Sequence, residues 1–468
     1  MPGALANPLL SALSDFVAAR LGLHFPQERW RDLQRGLVAA AAEFGFEDVE
    51  ACVRWLLSAT LDRKHIEVLA SHLTIGETYF FREMGSLDVL AKHIVPELFR
   101  LRAGGERHLR IWSAGCCTGE EPYSLAILLD SLIPDPRAWN VTILATDINP
   151  GFLRKAAAGI YSEWSFRGTP EWVKERYFKK RKDGRLELHA HIRARVTFSY
   201  LNLADDIYPS LLNNTNAMDV IFCRNVLMYF NAERVRKVSG NFHRSLVDGG
   251  WLIVSPTETS NRLFSSFSPV EFPDAFCYRK LDAAKWPVEL EPPVYVPEPD
   301  GGSAVIADTT ATSEPGMVTP SKPIPDQDVG EEAGLAARRC ANQGRLMDAM
   351  AWCNKAIAVD KLNPAHHYLL SSIEQEQGQA EAAVRSLKRA LYLDPDFVLA
   401  QFALGNIELS QGRRREAVRH FEHALAMMRN HSADEILPES EGLTAGRLIE
   451  IITSILASLP GAQERMAR

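Results

Sequence analysis

Several familiar signals are missing from this chain of 468 residues. No uninterrupted apolar run approaches the ~18 residues that a bilayer span needs, so direct membrane insertion is not expected. The amino terminus, MPGALANPLLSALSDF, has no basic region ahead of its apolar stretch and makes a poor signal peptide. The seven cysteines are odd in number and contain no CxxC pair. That spacing argues for free thiols in a reducing compartment and against zinc or any other metal centre. These absences together point to a cytoplasmic protein. An excess of positive charge is absent as well, with 52 basic residues against 59 acidic ones. The formal net charge is −7, and the stretch from Leu281 to Ala333 holds eleven acidic and two basic residues. The remainder is close to neutral, which argues against nucleic acid as a partner held by general electrostatics.

What is present is ordinary globular composition, 46% hydrophobic and 24% charged, enough for two to four domains. Nine of the 26 prolines fall between residues 286 and 330, in acidic runs such as EPPVYVPEPDGG that cannot bury a core and read as a linker. Behind it the sequence repeats. Gly344, Gly378 and Gly412 are spaced by 34 residues, as are Ala349, Ala383 and Ala417, and Ala356, Ala390 and Ala424. A 34-residue helix–turn–helix period resembles the tetratricopeptide repeat, and the amphipathic segment GLTAGRLIEIITSILASL is expected to cap the stack. In front of the linker, residues 1–80 show helical apolar spacing. From His108 strands alternate with helices: HLRIWSA, VTILATDI, MDVIFC and WLIVSP are strands separated by helical segments. This alternation predicts a doubly wound parallel sheet, with two further strands in FSPVEFPDAFCYRKL.

The first strand runs into WSAGCCTGEEPYS. Gly115 and Gly119 flank a tight turn, where glycine lets a bound molecule approach the backbone over the carboxyl ends of the strands. The spacing is not GxGxxG, and Glu120 and Glu121 follow at once at the helix amino terminus. They would repel a pyrophosphate, which disfavours a nicotinamide cofactor and favours S-adenosylmethionine, a phosphate-free sulfonium. The competing reading is that the acids only stabilise the helix terminus, a role that suits Glu120 better than Glu121. Asp147, at the tip of the next strand in ATDIN, is placed to accept hydrogen bonds from ribose hydroxyls. DVIFCRNVLMYF brings Arg224 and Asn225 to the same edge, although locally these also read as a solvated turn. Cys223 reads as packing, with no neighbouring base in sequence to activate it. Ahead of the sheet, LTIGETYFFRE holds Phe80 and Phe81, expected to be structural, and Arg82, whose planar fork matches a substrate carboxylate.

These motifs, in this order, resemble the CheR-type protein-glutamate O-methyltransferases of bacterial chemosensory pathways over about residues 10–283. With the repeat tail, the chain resembles the subset that includes WspC-like enzymes. The resemblance implies an α/β fold in five parts. An N-terminal helical subdomain covers 1–80. A Rossmann-like S-adenosylmethionine-dependent methyltransferase domain covers 81–283, with a small β-subdomain at about 170–200. A Pro/acidic linker covers 284–329, three repeats 330–431, and a capping helix and tail 432–468. Thr78, Arg82, Glu121 and Asp147 match cofactor positions, and Gly115 belongs to the glycine loop. Asn202 and Leu203 of SYLNLAD match positions around the adenine, and Arg224 and Asn225 the pocket edge. Tyr229 matches a tyrosine near the methyl group. Gly76 stands where members often have Asn, and Cys117 where they usually have Ser.

The implied reaction moves methyl from S-adenosylmethionine to glutamate side chains on the helices of methyl-accepting chemotaxis receptors, leaving S-adenosylhomocysteine. A glutamate carboxylate is already ionised near neutral pH and needs no general base. Arg82 and Tyr229 are the expected catalytic residues. The short KDG turn in YFKKRKDGRLELHAHIRARV leaves no room for the insertion with which some members grip a receptor pentapeptide. Docking is expected instead from the N-terminal helices, where Arg29, Arg31, Arg35, Arg54, Arg63 and Lys64 either meet acidic receptor helices or are ordinary solvated residues. The repeats are expected to hold other chemosensory proteins. The rival readings are a methyltransferase for another acceptor, a nicotinamide oxidoreductase, and an inactive scaffold acting through its repeats.

Overall fold

The computed structural model of the protein describes residues 5–281 and 326–458, apart from 104–106, 134, 136–137, 211–212, 273–274, 343, 434 and 441–442. The expected linker lies outside the described residues up to 325, and so does the tail beyond 458. Four helices open the chain: α1 (Asn7–Leu21), α2 (Trp30–Glu43), α3 (Val49–Ser58) and α4 (Arg63–Leu73). On α2, Leu33, Leu37, Ala40 and Ala41 form one buried stripe at helical spacing. Asp48 and Asp62 cap the next two helices by accepting backbone N–H bonds from Ala51 and His65. The four helices share one apolar cluster around Leu13, Val17, Leu37, Val53 and Leu69.

A linking stretch, α5 (Met84–Val89), a π turn (Leu90–Ile94) and α6 (Val95–Leu101), leads to β1 (His108–Ala114), α7 (Glu120–Leu132), β2 (Asn140–Asp147) and α8 (Pro150–Ala158). Then come β3 (Ile160–Tyr161), α9 (Glu171–Tyr177), β4 (Phe178–Lys180), β5 (Leu186–Leu188), α10 (Ala190–Arg193), β6 (Val196–Tyr200) and β7 (Met218–Cys223). The domain closes with α11 (Ala232–Ser245), β8 (Leu246–Val254), β9 (Ser268–Phe272) and β10 (Ala275–Arg279). The main sheet has the order β6-β2-β1-β7-β8-β10-β9. Its first five strands are parallel and β10 and β9 are antiparallel. Every residue of β1 and β7 is buried, as continuous apolar strands covered on both faces must be. The strand order reverses between β1 and β7, and the carboxyl ends of these strands open a crevice there.

The small sheet is β3-β5-β4, closed by a turn at Gly184 with φ 81°. It draws on residues 160–188 rather than the expected 170–200. Residues 196–200 pair in parallel with β2 and form the edge of the main sheet.

The rear of the chain is three helix pairs: α12 (Asp326–Asn342) with α13 (Leu346–Val359), α14 (Pro364–Glu376) with α15 (Ala380–Leu393), and α16 (Val398–Ser410) with α17 (Arg414–Met427). Gly344, Gly378 and Gly412 end the first helix of each pair with φ of 72°, 75° and 76°, a left-handed stop that glycine adopts without a Cβ penalty. The six periodic alanines have no exposed surface, which lets the paired helices approach. A last helix, α18 (Ala445–Ser458), packs on α17. The first helix starts at Asp326, inside the expected linker.

The repeats rest on the amino-terminal edge of the main sheet. Asn216, just before β7, donates from Nδ2 to Glu376 Oε1 at 2.7 Å, and Asn140, the first residue of β2, donates to the Glu376 carbonyl at 2.9 Å. A Cβ on Gly378 would stand 3.2 Å from Asn140, and one on Gly344 2.9 Å from Val247. The repeat turns therefore touch the sheet at the opposite end from the crevice.

Candidate active site

The cavity at the β1/β7 crevice gathers every residue singled out from the sequence: Thr78, Arg82, Gly115, Glu121, Asp147, Asn202, Leu203, Arg224, Asn225 and Tyr229. Leu23, His24, Phe25 and Arg29, from the loop between α1 and α2, close its remaining side.

Gly115 leaves β1 with φ 83°, and a Cβ there would stand 2.4 Å from Val226, so the glycine is required by close approach as well as by backbone angle. The two acids after the loop divide. Glu120 turns into the protein and accepts from Thr118 Oγ1 at 2.6 Å and Ser165 Oγ at 3.0 Å. Glu121 faces the cavity, held by Ser113 Oγ at 2.8 Å and Arg224 Nη1 at 3.2 Å. Burial raises the Glu121 carboxyl above the usual range, and Arg224 and Ser113 oppose the shift. Asp147 accepts from the backbone N–H of Cys117 and of Asn149, both at 2.8 Å. Burial nonetheless lifts its carboxyl to about 6, against three backbone hydrogen bonds that lower it. The carboxylate keeps acceptor capacity for a ligand hydroxyl.

Arg224 is the strut of the site. Its guanidinium lies between Glu83 Oε2, at 3.1 Å, and Glu121 Oε2, and also donates to the Arg82 carbonyl. Arg82 itself stays at the cavity wall, donating to the Glu77 carbonyl at 2.6 Å with part of its fork exposed. Phe80 and Phe81 are buried, and Phe80 stacks on Phe166 at 4.9 Å. Tyr229 ends a 3₁₀ turn (Leu227–Tyr229). Its carbonyl accepts from His24 N–H at 2.7 Å and its ring lies 5.6 Å from the Arg29 guanidinium. Asn202 gives both amide protons to the protein, to the Arg20 carbonyl and Asp205 Oδ1, so its side chain ties α1 to the cavity wall. Gly76 faces the Phe152 ring, 2.6 Å from where a Cβ would be. The thiols of Cys116, Cys117 and Cys223 are all pushed up by burial, Cys117 to about 12, which disfavours the thiolate that a nucleophile needs. All seven cysteines are free.

Of the basic residues expected on the N-terminal helices, Arg63 is withdrawn. It is buried, pairs with Glu67 at 2.5 Å and covers the Tyr200 ring at 4.2 Å. Arg29 belongs to the cavity rather than to an outer face.

Sequence reasoning passed over Glu83 and Glu258. Glu83 bonds Arg224, Asn225 and Ser255. Glu258 accepts three backbone N–H bonds, from Asn225 at 2.8 Å and Ser255 and Met228 at 3.1 Å. It thereby fixes the loop that carries Asn225 and Tyr229. The S-x-x-E capping box at Ser255–Glu258 is the signal that marks it.

Two buried carboxylates, Asp147 at the end of β2 and Glu121 at the start of α7, suit a cofactor with cationic and hydroxyl groups and repel a pyrophosphate. Leu201, Leu203, Ile148 and Phe152 supply apolar wall for a base. S-adenosylmethionine fits this donor set, and fold and site together define a methyltransferase dependent on it.

Two family comparisons agree with the geometry. The family described as CheR methyltransferase, SAM binding domain, matches residues 76–276, and the tetratricopeptide repeat matches residues 367–397. "Chemotaxis protein methyltransferase 2" of Vibrio cholerae is 36% identical over 47% of this chain and 75% of its own length. "Probable biofilm formation methyltransferase WspC" of Pseudomonas aeruginosa is 30% identical over 70% of this chain and 78% of its own, and its Pseudomonas putida counterpart 28% over 81% and 89%. The chain belongs to the CheR methyltransferase family, in the WspC-like arrangement with carboxyl-terminal tetratricopeptide repeats. It is an S-adenosylmethionine-dependent protein methyltransferase. Among the described residues no helix is long and apolar enough to cross a membrane.

The raised carboxyl of Asp147 gives a pH dependence. Above about 6 it is ionised and accepts from a diol fully; below, it carries a proton and accepts less. S-adenosylhomocysteine affinity is expected to fall as pH drops through 6, with Glu121 adding in the same direction. Calorimetric titration between pH 5 and 8 checks this, and Asp147→Asn should flatten the inflection. An unchanged profile in that variant would remove Asp147 from cofactor binding.

Proposed function

We propose that the protein transfers methyl from S-adenosylmethionine to glutamate side chains on the helices of a methyl-accepting chemosensory receptor. Bound in the cavity, the cofactor supplies the electrophilic methyl. Asp147 holds hydroxyls, Glu121 faces the cationic portion, and Leu203 and its neighbours enclose the base. Thr78, Gly115, Asn202, Arg224 and Asn225 shape the remaining wall. Arg82 orients the incoming carboxylate, and Tyr229 borders the passage by which it arrives. The acceptor is already ionised near pH 7, so no base is required, in accord with a cavity whose thiols are protonated. Catalysis is then mainly orientation, worth effective molarities on the order of 10⁵ M or more. The observation that carries this reading is the convergence of Arg82, Glu121, Asp147, Arg224 and Tyr229 on one cavity. The chemotaxis and biofilm names of the relatives support a receptor as acceptor, and the repeats support docking of further chemosensory proteins.

The test is methylation of a purified receptor signalling domain, with Arg82→Ala alongside. The variant is expected to lose turnover by about a hundredfold while binding S-adenosylhomocysteine within a factor of about three. Equal loss of both would show that Arg82 serves the cofactor instead. Failure of the wild type to methylate a glutamate-bearing receptor, with cofactor bound, would overturn the acceptor class.

A further inference from the structure

The last helix pair is followed by a turn that goes back across the repeat array. Glu439, twelve residues beyond the end of α17, forms an ion pair with Arg338 of α12, the first helix of the first pair. The turn thus spans all three repeats. It is a built structure. Leu437 N–H donates to the Leu443 carbonyl at 3.0 Å, Ser440 Oγ donates to the same oxygen at 3.0 Å, and Ala445 N–H donates to the Glu435 carbonyl at 2.8 Å. Leu437 and Leu443 are buried in the same apolar cluster as Tyr368 of α14 and Leu399 and Phe402 of α16. Tyr368 and Phe402 are equivalent positions, 34 residues apart. α16 is buried on nearly every side, between α15, α17 and this apolar cluster, whereas first helices of a solenoid normally present part of their surface to the concave binding side. Glu439 meanwhile holds φ at 62°, a strained conformation for a non-glycine residue that surrounding contacts must impose.

We propose that Leu437–Pro438–Glu439 is a resident ligand of the repeat groove. It occupies the surface on which a partner protein docks, and that partner offers the same chemistry: an extended segment with a leucine two residues before a carboxylate. The carboxylate takes Arg338 and the leucine takes the apolar floor beside Tyr368 and Phe402. The inference rests on the reading that the repeats dock proteins, and it adds what they recognise and why the free chain is closed. A partner binds only the fraction of chains whose turn has lifted, so its apparent affinity is reduced by that fraction. Lifting the turn also releases the backbone strain at Glu439.

The test uses the full chain and a dye-labelled synthetic peptide of residues 435–440, EILPES, followed by fluorescence anisotropy. Leu437→Ser with Glu439→Ala, which vacates the groove, is expected to bind the peptide at least about tenfold more tightly than the wild type. Adding Arg338→Ala should remove that gain. Should the double variant unfold by circular dichroism, Glu439→Gln preserves the shape of the turn and is expected to give a smaller gain of about threefold. Equal binding to wild type and variants overturns the closure and leaves docking by the repeats in place. No binding to any of them, or a gain that survives Arg338→Ala, overturns the assigned partner chemistry. S-adenosylhomocysteine affinity should be the same in every variant, which separates this result from the methyltransferase reading.

Discussion

Arg224→Met is expected to lower the free energy of unfolding by about 3–5 kcal/mol, the usual cost of removing one partner from a buried ionic cluster. The wild-type guanidinium is 3% exposed and neutralises Glu83 and Glu121 together. Methionine matches its length and apolar stem but leaves Glu121 without a cation and Glu83 with only the longer contact to Arg82 at 4.0 Å. One of them must take up a proton or draw in water. Urea unfolding at pH 7 measures the loss. Repeating it with Glu121→Gln added should recover part of it, because one of the stranded charges is then gone; additive losses would show that the two residues are not coupled. Cofactor affinity should fall as well, since Glu121 loses the contact that aims it.

Glu258→Ala is expected to cost about 3 kcal/mol or more in stability. Three backbone N–H groups lose their acceptor, a buried one at Ser255 and partly buried ones at Asn225 and Met228, at up to about 1–3 kcal/mol for each group left unsatisfied. The larger consequence is kinetic. The loop carries Tyr229, and a misplacement of the order of 1 Å near the reacting centre can reduce turnover about a hundredfold. Glu258→Gln retains one carbonyl acceptor and should fall between wild type and alanine. A residue that merely stabilises the fold would lower the melting temperature and leave kcat intact at a temperature where the variant is folded; unchanged kcat in that assay would deny Glu258 a positioning role.

The cavity residues were legible because each parallel strand is an apolar run that ends abruptly in polar residues, as at DVIFC–RN and ILATD–IN. In a doubly wound sheet those endings share one edge. The division between Glu120 and Glu121 was legible only in direction, since the helix phase that turns one inward and the other to the cavity depends on how Gly119 enters α7. Glu83 was hidden by distance: Arg224, its main partner, lies far along the chain, and its backbone takes φ 55°, which no local pattern announces. The edge strand β6 was obscured for another reason. Only Val196 of its five residues is fully buried, so its burial pattern is that of an exposed hairpin. The hydrogen bond from the Asn202 amide to the Arg20 carbonyl could not be read either, because that acceptor is in place only once α1 has docked.

The seat of the repeats on the sheet gives the molecule a front and a back. β1 is seven residues long, so at about 3.3 Å per residue roughly 20 Å of strand separates the contacts at Asn140 and Asn216 from the mouth beside Gly115 and Asp147. Under the proposed docking role, a protein held by the repeats is moored away from the mouth, and the two engagements need not compete for space. Mooring then raises the local concentration of acceptors near the mouth without occupying it, and the molecule best served is a neighbour of the moored protein rather than that protein itself. On that proposal the rate should climb when acceptors are clustered and sink towards that of the bare catalytic domain when they are dispersed.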